Sequence, residues 1–204
     1  DHVVVGARGV MLTRGALYRY TLSAAFAFTA VERFLGAVGG DAAGSACALP
    51  YRNGAAPEVA LYGAPLHDGD AFDAGIVYGE NFATDATETA LRPDGVASNR
   101  FGERVVIDGD TAAVGAPNDD EAASLGGPTT NGGAVYVYVR TGTSWTQQAK
   151  LMVPVPAVQN LGGSLALEGD TLAFSTRSAT ANTVWISRRT GTTWSTPTAQ
   201  DPNR

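Results

Sequence analysis

Residues 101–117 read FGERVVIDGDTAAVGAP, and GAVYVYVRTGTSWTQQAKL follows at residues 133–151. Asp108-Gly109-Asp110 separates two short apolar runs and reads as a tight hairpin turn of the Asp-Gly type. Together the two stretches predict four strands, at about 103–107, 111–115, 134–140 and 146–153, joined as a β-meander. Whether this meander stands alone or is one copy of a repeat decides the architecture, so the rest of the chain is compared with it first.

The apolar run ending in Gly-Ala recurs in HVVVGAR, VALYGAP and AAVGAP, with glycines at positions 6, 63 and 115. A degenerate fourth copy, LGGSLALEGDTLAFSTR, aligns through its Gly-Asp-Thr turn and puts Ser175 where Gly115 stands. The second half of the unit recurs as GALYRYTL, AGIVYGENF, GAVYVYVRTGTSW and NTVWISRRTGTTW. Four copies of one unit therefore occupy the chain, at about 1–40, 41–98, 99–157 and 158–200, in a single repeat domain.

The strand at 134–140 carries Val135, Val137 and Val139 on one face and Tyr136 and Tyr138 on the other, so neither face is simply polar. A sheet apolar on both faces has to be sandwiched. Four-stranded meanders stacked face to face around an axis make a β-propeller, which predicts an all-β fold of four-stranded antiparallel blades. The glycine of Gly-Ala-Pro then falls where backbones crowd and side chains are excluded.

Phe101-Gly102, Gly115-Ala116-Pro117 and Gly133-Ala134-Val135-Tyr136 resemble the FG-GAP repeat family, known from the seven-bladed propeller of integrin α subunits and from bacterial extracellular proteins. The third copy matches both halves of the motif. The second keeps Gly63-Ala64-Pro65 without a clear Phe-Gly, the first keeps Gly6-Ala7, and the fourth has Leu161-Gly162 and no Gly-Ala-Pro. The resemblance implies a propeller scaffold more firmly than any function.

The first copy begins at its second strand, leaving about fifteen strands. Three readings stay open: a fragment of a longer wheel, a four-bladed wheel completed by a strand from elsewhere, or a subunit that pairs its open edge with another chain.

Composition narrows the partners. With 44% hydrophobic and 17% charged residues the chain is a folded protein rather than a disordered one. A formal charge of −6 argues against nucleic acid, which calls for a basic face. Cys47 is the sole cysteine, so no intrachain disulfide forms. The most apolar window, 20–38, contains Glu32 and Arg33 and makes a poor membrane span. No signal peptide is visible, and residue 1 is compatible with a position after a cleavage site.

Integrin-type repeats often carry a calcium loop between their first two strands. Here that place holds only Asp108-Gly109-Asp110, and calcium takes six to eight oxygens, more than a two-residue hairpin supplies. Two acidic loops between the second and third strands are the better metal candidates: one with Asp68, Asp70 and Asp73, the other with Asp119, Asp120 and Glu121. Neither fits the calcium-hand consensus, and solvated polar loops are the plainer reading. Trp145 and Trp194 stand at equivalent repeat positions and predict one structural slot filled twice, while Trp185 replaces Tyr136 and reads as core. For catalysis only His2 and His67 offer neutral-pH bases, and no nucleophile elbow is present.

These features predict a non-enzymatic binding or adhesion module, secreted or at the cell surface. It would present loops to a protein or glycan ligand, with calcium as the one cofactor to consider. A structural subunit completed by strand exchange with a neighbour is the alternative, and a carbohydrate-active propeller enzyme a weaker one.

Overall fold

A computed structural model of the chain describes residues 2–9, 14–23, 27–37, 39–50, 58–68, 72–84, 86–88, 90–93, 99–120, 131–153, 160–176 and 183–200. All regular structure among them is strand, arranged in four antiparallel meanders that form the blades of a β-propeller. Blade 1 holds β1 (His2–Ala7), β2 (Ala16–Leu22) and β3 (Phe28–Leu35). Blade 2 holds β4 (Ala46–Ala48), β5 (Val59–Ala64), β6 (Ile76–Asn81) and β7 (Ala86–Thr87). Blade 3 holds β8 (Arg104–Asp108), β9 (Thr111–Ala116), β10 (Ala134–Thr141) and β11 (Ser144–Leu151). Blade 4 holds β12 (Ser164–Glu168), β13 (Thr171–Ser175), β14 (Val184–Thr190), β15 (Thr193–Trp194) and β16 (Thr198–Gln200).

The register fixes the correspondence between blades. Gly6 pairs with Leu17, Gly63 with Val77, Gly115 with Val135 and Ser175 with Val184. Blade 1 therefore begins at the second strand of the unit, as the sequence predicts. In blade 4 the outermost strand is split: β14 pairs first with β15 and then with β16. Pro197 lies in the gap, and a residue without an N–H cannot complete the ladder there. At the Asp108-Gly109-Asp110 hairpin Asp108 pairs with Thr111, and Gly109 takes φ 56° at the first central position, where a tight hairpin favours glycine.

The core is three separate seams between consecutive blades. Leu17 of blade 1 packs with Ala60, Tyr62 and Ile76 of blade 2. Leu61 and Val77 of blade 2 pack with Val105, Val114, Tyr136 and Tyr138 of blade 3. Val135 and Val137 of blade 3 pack with Leu172, Phe174 and Trp185 of blade 4. Thus both faces of β10 are buried, each against a different neighbour.

Backbone contact sets the spacing at each seam. A Cβ placed on Gly63 would lie 1.9 Å from the Gly102 carbonyl oxygen, one on Gly6 2.1 Å from that of Gly44, and one on Gly115 2.3 Å from that of Gly162. The second glycine of each set donates its N–H within its own blade, Gly44 to Gly63, Gly102 to Gly115 and Gly162 to Ser175. Ala43-Gly44 is therefore the counterpart of Phe101-Gly102 in the second copy, where the sequence shows no clear Phe-Gly. The seam requires the glycine, and the residue before it is free to vary.

Candidate functional site

The two loops singled out in the sequence leave the same edge of adjacent blades, after β5 and after β9. Counted from Gly-Ala-Pro without a gap, His67 corresponds to Asp119 and Asp68 to Asp120. The hydrogen bonds follow the same correspondence. His67 N–H donates to the Ala64 carbonyl, and Asp119 N–H to that of Ala116. Gly75 N–H donates to the His67 carbonyl at 3.1 Å and Gly133 N–H to that of Asp119 at 2.8 Å, closing each loop at its base. A second rung is built from side chains: Asp68 Oδ1 accepts the Asp73 N–H at 2.8 Å, and Asp120 Oδ1 accepts the Asn131 N–H. Asp73 and Asn131 both adopt positive φ, 49° and 63°.

Below each neck lies a buried polar pair. Asp119 is fully buried, and its Oδ2 accepts from the Tyr136 hydroxyl at 2.6 Å and from Asn99 Nδ2 at 3.3 Å. Lys150, the one lysine of the chain, brings its Nζ to 3.1 Å from the same oxygen and lies over the Tyr136 ring. A buried carboxylate is tolerated only when paired and hydrogen-bonded, and here both conditions hold. In blade 2 the equivalent pair is Asp41 and His67, with Oδ2 to Nδ1 at 3.2 Å and the Tyr78 ring edge-on to the imidazole.

The predicted metal residues thus divide. Asp119 is directed into the protein and anchors its loop. Asp68 and Asp120 are exposed but close loop necks, while Asp73 enters the neck through its backbone. Asp70 and Glu121 lie outside the described residues. Among the described residues no group of three or more His, Cys, Asp or Glu side chains is arranged to hold a metal ion. Phe72, in the loop of blade 2, is 69% exposed.

Trp145 and Trp194 do fill one slot twice. Both are buried, and each donates its indole N–H to the preceding blade: Trp145 to Glu88 Oε2 and Trp194 to Gln148 Oε1, both at 2.8 Å. Glu88 also receives Asn81 and the Arg140 guanidinium, an ion pair sealed inside the seam between blades 2 and 3. The carboxylate of Glu88 holds the Arg140 guanidinium above its ordinary range. Trp185 is core, as predicted.

A groove of about 680 Å³ runs past Leu49, Ile107, Asp108, Leu167 and Glu168. No described residue of either acidic loop lines it.

The functional features missed by sequence reasoning are the anchors Asp41, Asn99 and Lys150. Asp41 and Asn99 lie two residues before Ala43-Gly44 and Phe101-Gly102 respectively, so aligning the units on that glycine would have found the first two. Lys150 had no such signal, since its role comes from β11 folding back over Asp119.

Comparison with protein families agrees with this geometry. Residues 87–138, which run from the end of blade 2 through most of β10, match the family model described as FG-GAP repeat. A search of curated proteins found no match. With the Phe-Gly and Gly-Ala-Pro turns meeting at the blade seams and the family model falling on the best-preserved copy, residues 87–138 of this chain carry an FG-GAP repeat.

Proposed function

We propose that this protein is a non-enzymatic binding module, acting outside the cell, which presents the loops after β5 and β9 to a protein or glycan ligand. The observation that carries the reading is the shared loop foundation. Two neighbouring loops of different sequence and length stand on the same set of hydrogen bonds, each rooted in a buried polar pair. A rigid base with a variable tip is how repeat scaffolds present binding residues. The exposed Phe72 supplies an aromatic anchor of the kind that concentrates binding energy at interfaces. FG-GAP repeats are typically extracellular, and no described helix is long and apolar enough to cross a membrane.

Glycan arrays and cell-surface binding assays test this directly. Binding by the intact chain, lost in Phe72→Ala and in a variant with residues 121–130 replaced by a short Gly-Ser linker, is the expected result. Binding that survives both changes would move the site elsewhere. In this reading calcium belongs only to Asp68, Asp70 and Asp73. Calorimetric titration with calcium chloride reads that contribution, and an absence of heat removes calcium from the proposal.

A further inference from the structure

Blade 3 buries an amine, an amide and a carboxylate against one another. Asn99 and Asp119 are fully buried, and the Lys150 side chain is only 10% exposed. Asp119 Oδ2 lies 3.1 Å from Lys150 Nζ and 3.3 Å from Asn99 Nδ2, so one carboxylate oxygen touches both nitrogens. The Tyr136 hydroxyl donates to the same oxygen, and the centroid of its ring is 4.9 Å from Nζ. Asn99 Oδ1 is buried with no hydrogen-bond partner among the described residues, so the amide is engaged there through its nitrogen alone. The corresponding pair of blade 2, Asp41 and His67, offers no amide.

An ion pair alone does not call for lysine at this place. Every other basic residue among the 14 of the chain is arginine, and the buried ion pair with Glu88 in the same blade uses Arg140. A guanidinium stays protonated and has no lone pair for attack, whereas a lysine amine becomes a nucleophile once a neighbouring base takes its proton. Both backbones are fixed: Lys150 pairs with Tyr136 in the sheet, and the Asn99 carbonyl accepts the Asn118 N–H at 3.2 Å. Lys150 belongs to β11 and Asn99 shortly precedes β8, the two edge strands of the blade. A covalent link between the two residues would brace blade 3 from edge to edge.

We propose that blade 3 is a self-modification site, in which Lys150 Nζ and Asn99 Cγ join in an isopeptide bond with Asp119 as the catalytic residue. Asp119 Oδ2 takes one proton from the Lys150 ammonium, and the freed lone pair adds to Asn99 Cγ, sending the carbonyl π pair onto Oδ1. The carboxyl then gives its proton to Asn99 Nδ2 and takes the second proton from Nζ. The Cγ–Nδ2 bond breaks, its electron pair leaves with the nitrogen as ammonia, and the carbonyl re-forms as that of the new amide. Ammonia removes the proton left on Asp119, so the products are one isopeptide bond, one ammonium ion and the original carboxylate. Exclusion of water protects the amide and strengthens each contact of the carboxylate. The step is internal to the blade and independent of what the loops bind.

Intact-mass spectrometry of the purified, folded chain tests it, and the single lysine makes the reading unambiguous. The wild type is expected to be lighter than its sequence by one ammonia. After denaturation it should resist a lysine-specific protease, and tryptic digestion should release a branched peptide joining residue 99 to residue 150. Lys150→Arg, which keeps the charge, and Asp119→Asn, which removes the base, should each have the full sequence mass, and the denatured Asp119→Asn chain should be cut in two at Lys150. A wild type of full mass that the lysine-specific protease cuts overturns the proposal. Loss of water in place of ammonia does so too, since it puts the bond on Asp119. Loss of ammonia that persists in Lys150→Arg also overturns it, because it marks cyclisation of an asparagine such as Asn131, which precedes a glycine.

Discussion

Asp119 turns its carboxylate inward, onto Lys150, Tyr136 and Asn99, although it stands in the most acidic run of the third unit. Tyr62 makes a comparable choice in blade 2, donating its hydroxyl to Glu80 Oε1 at 3.0 Å inside the sheet. Burial, reinforced by the Glu80 carboxylate, pushes the Tyr62 phenol far above the ordinary value of about 10. Burial, with Asp41 nearby, raises Tyr78 as well. The folded chain thus keeps these two phenols protonated at a pH where the unfolded chain would release them. This contribution to stability is intact below about pH 10 and is lost as the pH climbs above it. Thermal melts are expected to show Tm falling beyond about pH 10, and Tyr62→Phe should flatten that decline. An unchanged alkaline slope in the variant would refute the assignment. At this scale the sequence was legible where a residue recurs. Trp145 and Trp194 were readable as one slot because RTGTSW and RTGTTW share a register, whereas the partner of Asp119 lies on a strand that no local pattern connects to it.

The elements meet at glycines, and the seam between β5 and the Phe101-Gly102 turn is the tightest of them. Gly63→Ala would force its methyl into the Gly102 carbonyl, where backbone rather than a flexible side chain must give way. A cost of about 3 kcal/mol, the upper part of the overpacking range, is expected. For a chain of this length that lowers Tm by roughly 6–12 °C. Gly109→Ala is the control: it meets nothing within 4 Å and incurs only the strain of its left-handed φ, about 1–2 kcal/mol. Equal losses in the two variants, read by calorimetry, would show that the seam is not what sets the spacing. The strands and hairpins of blade 3 were legible because Asp-Gly and alternating aromatics mark them. The Ala43-Gly44 turn was not, since the phenylalanine that makes the motif conspicuous is absent there. The split of β15 from β16 follows from Pro197, a residue the repeat comparison does not weigh.

Among the described residues the core clusters join each blade to its neighbours, so stability is approximately a sum of blades and seams. Cys47 lies in the seam of blades 1 and 2, with its Sγ facing the Val4 carbonyl. Burial raises its thiol above the ordinary value, a shift partly opposed by a hydrogen bond with the Gly6 backbone. Both access and ionisation therefore retard its reactions. Labelling with a chromogenic disulfide at neutral pH is expected to be at least about tenfold slower than for the unfolded chain. It should quicken under mild denaturant before the tryptophans of the later seams become exposed. Simultaneous exposure of Cys47 and the tryptophans would instead mean that the four blades open as one unit. The number of units was legible from the sequence because the turns recur. The identity of the exposed faces was not, because Tyr18 and Tyr136 look alike until one is found covered and the other half open.

The backbone-to-backbone contact at Gly63 and Gly102 has a consequence for how such a protein can change over time. When main chain rests on main chain, the gauge between two blades is set by atoms that every residue possesses. Side chains on either side can then drift, as Phe101 became Ala43 in one copy and Leu161 in another, without altering the pitch of the array. Divergence is tolerated in almost every position but the gauge itself. Units that share little sequence can therefore be exchanged or duplicated and still stack.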